Sequence, residues 1–337
     1  MFYNLLRYSY RVFRVSILPR RILNNLKLSV SYGLSACGVL TRWKLSPAFI
    51  SVEPANVCNL HCPECPVGMR TSPAVKSTLD FSLFKKLIDE LSPALMHVIF
   101  YFQGEPLLNP DFTGMVSYAR SKNLLTSSST NAQLITDELA RRIVESGLDR
   151  LIISIDGCTQ DVYEKYRVGG SLFKALNAVT SLVKWKEKLR SASPFIEIQF
   201  LVLSTNEHQM GDMKLLARNL KADKLTFKSA QLYDFENGNE LLPRNPKYAR
   251  YELRDDHKYH IKSKLRNRCQ RLWRGAVITS KGDVLPCCFD KESAFSFGNI
   301  HRQTFSACWH SDAAYDFRQK ILQNRKQFQL CTNCTEK

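Results

Sequence analysis

From Phe49 to Lys228 the apolar positions alternate between two rhythms. Short apolar runs predict strands at Phe49–Glu53, Val98–Phe102, Leu125–Ser129, Leu151–Ile155, Ile196–Leu203 and Lys224–Lys228. Between them, apolar residues recur at helical spacing. Helices are expected at Phe81–Leu91, with Asp80 as N-cap, at Phe112–Ser121, and at Asp137–Ser146, where Gly147 ends the helix. A longer helical region reaches about Leu189, and Gly211–Leu220 follows. Six β/α units of roughly 25–40 residues require a parallel sheet with helical crossovers, either barrel-like or doubly wound. Polar or Gly-bearing segments follow the strand ends, and in such folds the active site lies at those carboxyl ends.

The rhythm is absent at both ends of the chain. Residues 1 to about 25 read as one helix, with Arg7, Arg11, Arg14 and Arg21 on one face and Leu5, Leu6, Val12, Phe13 and Ile17 on others. Such a helix suits either packing on the main domain or peripheral contact with an anionic membrane. Its acid-poor, Arg-rich composition also has the look of an organelle transit segment. After Asp234, Asn237, Gly238, Pro243 and Pro246 mark a linker. Three regions result: a basic helical segment at 1–47, a β/α core at 48–236, and a small domain at 237–337.

The chain has 337 residues, 44% of them apolar, which is ample for a buried core and excludes wholesale disorder. The net charge of +17 is unevenly placed. Eight Lys/Arg precede the first acid, Glu53, and Arg244–Arg271 holds ten Lys/Arg against three acids. A solvated surface and a polyanion or membrane contact both fit this charge. No apolar stretch is long enough for a transmembrane helix.

Eleven cysteines change the picture because they cluster. Cys58, Cys62 and Cys65 lie within eight residues, and Cys269, Cys287, Cys288, Cys331 and Cys334 lie toward the end. Gaps of two or three residues are ligand spacing, which points to a reducing, cytoplasmic compartment. Structural zinc wants four ligands, and His61 is badly directed to be the fourth beside Cys62. A four-iron cluster held by three thiolates keeps one iron open for a substrate.

Cys58-x3-Cys62-x2-Cys65 after the first strand resembles the motif of the radical S-adenosylmethionine superfamily. The context agrees: Gln103-Gly104-Glu105-Pro106 is close to the family's Gly-Gly-Glu-Pro segment, with Gln103 in place of the first Gly. Ser129-Thr130-Asn131 and Ser154-Ile155-Asp156-Gly157 are similar to the family's cofactor edge. The resemblance implies a partial (β/α)6 TIM-like barrel with a small Cys-rich C-terminal domain. It also implies a [4Fe–4S] cluster on Cys58, Cys62 and Cys65, and reductive cleavage of S-adenosylmethionine to a radical that takes hydrogen from a substrate. Gly104 and Glu105 would meet the cofactor's amino group, Ser154 would contact the cofactor, Asn131 the ribose and Arg167 the carboxylate. Asp156 belongs to the same edge. Glu64 stands where many members carry an aromatic residue near the adenine, so its main chain, not its side chain, would meet the base.

The later cysteines resemble the auxiliary-cluster extension called SPASM. Cys269, Cys287, Cys331 and Cys334 make a set of four, with Cys288 as rival to Cys287. A zinc ribbon on the same thiolates is the alternative. With the chain ending three residues after Cys334, one auxiliary [4Fe–4S] cluster is the expectation. For this architecture the expected substrate is a peptide or protein, and the expected electron donor is of the flavodoxin or ferredoxin kind. A small-molecule cyclase is compatible as well. An RNA methyltransferase using Cys158, and a zinc protein binding nucleic acid through Tyr248, Tyr251 and Tyr259, are the rivals.

Overall fold

The computed structural model describes residues 2–39, 41–69 and 75–335. The β/α alternation is present as expected. Strand β1 (Phe49–Val52) precedes helix α3 (Phe81–Leu91), and β2 (His97–Phe100) precedes α4 (Phe112–Ser121). Then come β3 (Leu125–Thr130), α5 (Asp137–Glu145), β4 (Arg150–Ser154), α6 (Gln160–Tyr166), α7 (Leu172–Lys188), β5 (Phe195–Val202), α8 (Met210–Asn219) and β6 (Lys224–Ser229). Asp80 caps α3 as predicted, accepting from the amide of Leu83 at 2.8 Å. Thr136 and Ser171 cap α5 and α7 in the same way.

One eight-stranded sheet has the order β10-β9-β1-β2-β3-β4-β5-β6. The six predicted strands therefore lie in chain order. A doubly wound sheet reverses its order at a switch point, whereas a barrel wall does not, so the barrel-like alternative is the one adopted. The pairs β1–β2, β3–β4, β4–β5 and β5–β6 are parallel. Burial of Ile50 and Val52, Leu151 and Ile153, and Ile196, Ile198 and Phe200 supplies the core.

Two features differ from the sequence reading. The basic N-terminus is two helices, α1 (Phe2–Ser16) and α2 (Pro19–Ala36). Pro19 stands at the first turn of α2, where its missing N–H costs nothing, but it cannot continue α1. The second difference lies in the C-terminal segment. A hairpin of β7 (Tyr251–Leu253) and β8 (Tyr259–Ile261) follows the linker, then α9 (Arg271–Arg274), β9 (Gly275–Ile278) and β10 (Val284–Leu285). Strand β9 pairs parallel with β1, and β10 returns antiparallel around Gly282, which takes a positive φ. The boundary expected at 236/237 follows a change of sequence pattern, but β9 and β10 join the main sheet. Helices α10 (Phe305–Trp309), α11 (Asp312–Asn324) and α12 (Gln329–Thr332) complete the chain.

Packing divides the molecule into two units. The first holds residues 2–9, 57–69 and 127–262, and the second holds 10–39, 41–56, 75–126 and 263–335. In the first, Asn4 donates to Asp223, which also takes the buried Lys186 ammonium at 2.6 Å. Tyr8 stacks on Phe195 there. In the second, Arg21 is 2% exposed and donates to the carbonyls of Val15, Asn123 and Ser92 at 2.9–3.2 Å. Burial, with Arg11 nearby, lowers its pKa to about 10, so it stays charged at neutral pH. Replacing Arg21 by Ala leaves those carbonyls without a donor. Arg21→Ala is therefore expected to lower the unfolding free energy by about 2–3 kcal/mol, read from chemical denaturation, and unchanged stability would show the contacts to be inconsequential.

Candidate metal centres

The first cysteine loop belongs to the first unit, and each thiol has its own surroundings. Cys62 is buried, and Cys58 and Cys65 are partly exposed. The amide of Leu60 lies 3.4 Å from Cys58 Sγ, and Asn131 Nδ2 lies 3.5 Å from it. Arg167 Nη1 lies 3.8 Å from Cys62 Sγ. N–H donors aimed at sulfur suit thiolates bound to iron, whose charge they offset. Burial pushes the Cys62 thiol up, and Arg167 opposes that shift. Metal binding at such a thiol must therefore displace a proton. His61 is exposed and its amide bonds the carbonyl of Val168.

Arg167 is held by a buried ion pair. Its Nε donates to Asp156 Oδ2 at 2.6 Å, while Asp156 Oδ1 accepts the amide of Leu201 at 2.6 Å. Burial disfavours the guanidinium charge, but Asp156 and Cys62 outweigh it and hold its pKa above the ordinary value. Asp156 is fully buried with both oxygens engaged, so it acts through Arg167. Glu64 also has partners: its carboxylate accepts the amide of Tyr233 at 2.8 Å and Asn239 Nδ2 at 2.9 Å. It thus ties the cysteine loop to the linker after β6. Asn131 is buried and also donates to Asn59 at 2.9 Å. Ser154 is buried at the carboxyl end of β4.

In the second unit, Gly104 and Glu105 follow β2. Glu105 is buried, and its Oε1 accepts the amide of Leu107 at 3.2 Å, capping the one-turn 3-10 helix Pro106–Leu108. Gln103, standing for the first Gly, donates to the carbonyl of Lys291 at 2.8 Å.

The later cysteines meet as expected. Cys269, Cys287, Cys331 and Cys334 line one cavity with Leu272, Phe317 and Arg325. Cys288 instead packs against Phe102, Val277 and Leu285, which separates it from Cys287. Arg325 is 1% exposed and donates to Cys334 Sγ at 3.1 Å and to the carbonyl of Arg268 at 2.9 Å. Burial pushes the Cys269 and Cys287 thiols up, and Cys331 to about 11. Four thiols and a buried cation around one apolar cavity fit a cluster whose sulfurs carry negative charge. Among the described residues no group of three or more His, Cys, Asp or Glu converges as ligands of a single ion. A cubane presents its ligand positions at separate corners, so its thiolates stand further apart than those of one ion.

The supports of the rival readings are engaged elsewhere. Tyr251 is buried, stacks on Phe235 at 4.1 Å and bonds Leu232 through its hydroxyl. Tyr259 packs on the same cluster, and Tyr248 meets Phe227 edge-on. Tyr251 is thus committed to the core, and Tyr248 and Tyr259 are half-buried against neighbouring apolar groups. The Cys158 amide bonds the Gln209 side chain, and burial pushes its thiol up to about 11, the wrong direction for a nucleophile.

Sequence reasoning missed two residues. Arg325 carries no sequence signal, since its role depends on the cavity. Gly68 does carry one, as a glycine three residues after Cys65. A Cβ there would lie 2.4 Å from the Cys62 carbonyl oxygen and 2.6 Å from its nitrogen. Gly68→Ala must therefore move the backbone of the cysteine loop. Reconstituted Gly68→Ala protein is expected to bind roughly half the iron of the parent, measured by iron assay, with the later site retained; full iron content would show that the loop tolerates the shift.

Comparison with known proteins gives a consistent result. The model of the radical SAM superfamily matches residues 52–185. The SPASM iron–sulfur cluster-binding domain matches residues 269–335. The chain is 23% identical over 315 residues to a tungsten-containing aldehyde ferredoxin oxidoreductase cofactor-modifying protein of Pyrococcus furiosus, covering 85% of this chain and 87% of that protein. It is 25% identical to the PqqA peptide cyclase of Gluconobacter oxydans, covering 78% and 76%. Among solved structures, Streptococcus suis SuiB bound to its precursor peptide SuiA superposes with a TM-score of 0.62 at 13% identity, covering 90% of this chain and 73% of that one. This last likeness establishes the fold.

Proposed function

The chain belongs to the radical S-adenosylmethionine superfamily and is an enzyme using a [4Fe–4S] cluster, S-adenosylmethionine and a SPASM iron–sulfur domain; from this premise we propose that it modifies a peptide or protein by hydrogen-atom abstraction. Cys58, Cys62 and Cys65 hold the cluster that binds the cofactor. Cys269, Cys287, Cys331 and Cys334 hold one auxiliary [4Fe–4S] cluster. When bound, the cluster and its cofactor supply a 5′-deoxyadenosyl radical by one-electron cleavage of the sulfonium. The protein's own residues bind, orient and exclude water. Arg167, fixed by Asp156, offsets charge at Cys62. Asn131 does the same at Cys58 and would serve the ribose, and Ser154, at the end of β4, would contact the cofactor. Gly104 and Glu105 would receive the cofactor's amino group. Glu64 keeps the loop against the linker, and its main chain would serve the adenine.

The observation that carries this reading is the four-thiol cavity with Arg325, an auxiliary site separate from the Cys58–Cys65 loop. The Gluconobacter relative, named for a peptide substrate and matched over three quarters of both chains, supports the substrate class. Modification of a cofactor is the second reading, favoured by the name of the Pyrococcus relative. The site of action is the cytoplasm, and the electron donor a flavodoxin or ferredoxin. No helix among the described residues is long and apolar enough to cross a membrane. Deuterium transfer from fractions of a deuterated cell extract decides between the two substrate classes: label appearing in 5′-deoxyadenosine with the peptide fraction supports the first, and label appearing there only with the small-molecule fraction overturns it.

Two measurements test the site. Anaerobically reconstituted protein should hold about eight iron and eight sulfide per chain. Replacing Cys58, Cys62 and Cys65 with Ala should remove about half of that iron and all cofactor cleavage. Zinc in the later site of the parent would overturn the auxiliary-cluster assignment alone. For Glu105, Gln retains an acceptor for the Leu107 amide while removing the charge. Glu105→Gln should weaken S-adenosylmethionine binding about 10- to 150-fold by calorimetry, with the cluster still assembled. An unchanged isotherm would leave Glu105 with the cap alone.

A further inference from the structure

Helix α2 is built inside out. Its inward face buries Arg21, Asn24, Ser31 and Ser35 beside a single large apolar residue, Leu28. These polar groups have internal partners: Arg21 as described, Asn24 on the carbonyl of Ser46, and Ser35 on that of Ser31. The outward face carries Ile22, Leu23, Leu26 and Val30, which are 43–60% exposed. Positions 22, 26 and 30 form one stripe at helical spacing. A helix facing water places these two classes the other way round. Phe13 on α1 and Ile17 just after it are exposed in the same manner. Single exposed apolar residues are ordinary on a soluble protein, but a run of them along consecutive helices marks a contact surface.

The charge around this surface is of one sign. Arg14, Arg20 and Lys27 are exposed among the apolar residues, and no acid precedes Glu53. A second copy of the chain would bring the same cations against each other, which disfavours self-association. The length and hydropathy exclude spanning but suit a helix lying in the headgroup plane. We propose that α2, with the last turns of α1, docks this enzyme on the surface of an anionic phospholipid bilayer. Apolar side chains enter the acyl boundary there, and the three cations meet lipid phosphates. This docking is independent of the radical chemistry.

The test uses the full chain and flotation with vesicles of phosphatidylcholine alone or with roughly 30% phosphatidylglycerol, a fraction that makes the surface anionic. The parent protein should float with anionic vesicles at least about tenfold more than with neutral ones, and less as salt shortens the Debye length. Two triple variants separate the contributions: Leu23→Ser, Leu26→Ser, Val30→Ser, and Arg14→Gln, Arg20→Gln, Lys27→Gln. Each should reduce flotation by about tenfold or more while retaining parental iron content, which checks folding. Absence of flotation, or equal flotation with both vesicles, overturns the proposal. So does a dimer seen by light scattering that the Leu23, Leu26, Val30 variant abolishes, since a second copy would then cover the face.

Discussion

The buried ion pair between Arg167 and Asp156 is the constraint on which the first cysteine loop depends. A carboxylate with no exposure is tenable only with its charge matched and its oxygens bonded. Asp156 meets both conditions through Arg167 and the Leu201 amide, which belong to different β/α units. Removing either partner would strand a buried charge at a cost of about 3–5 kcal/mol. The pair therefore fixes a guanidinium beside Cys62, where an anionic cluster needs a cation.

The later site follows the same logic with a different cation. Arg325 donates to Cys334 Sγ and to the Arg268 carbonyl. Burial opposes its charge, and the neighbouring Cys334 and Cys269 outweigh that effect. Cation and thiols thus stabilise one another's charged forms in an apolar setting. A [4Fe–4S] core held by these four thiolates would carry net negative charge, which the Arg325 guanidinium would partly offset. Strand β9 begins six residues after Cys269 and β10 ends two residues before Cys287, so the β-turn at Gly282 sets the separation of these ligands.

The N-terminal helices show how polarity can be inverted when the buried polar groups keep hydrogen-bond partners. Arg21 replaces apolar packing with hydrogen bonds to carbonyls at the ends of α3 and α4, groups that helix termini leave unpaired. That arrangement frees the apolar side chains of α2 for an outer contact. The basic amphipathic character was visible in the sequence, but the side facing inward was not.

The β/α rhythm, the places of the six core strands, the cap at Asp80 and both cysteine groups were legible in the sequence. These are local properties: periodicity, capping chemistry and ligand spacing act within a few residues. Tertiary structure decided what depends on approach from distant segments. It separated Cys287 from Cys288, whose adjacent side chains face different packing environments. It committed Asp156 to Arg167, gave Glu64 to the linker, and placed Arg325 on Cys334. It also drew β9 into the main sheet beside β1, where four buried residues meet an open edge that no local pattern could reveal. The physical reason is common to all of these. A side chain's partner is chosen by whichever buried charge, donor or strand edge the fold brings near, and that choice is made across tens to hundreds of residues.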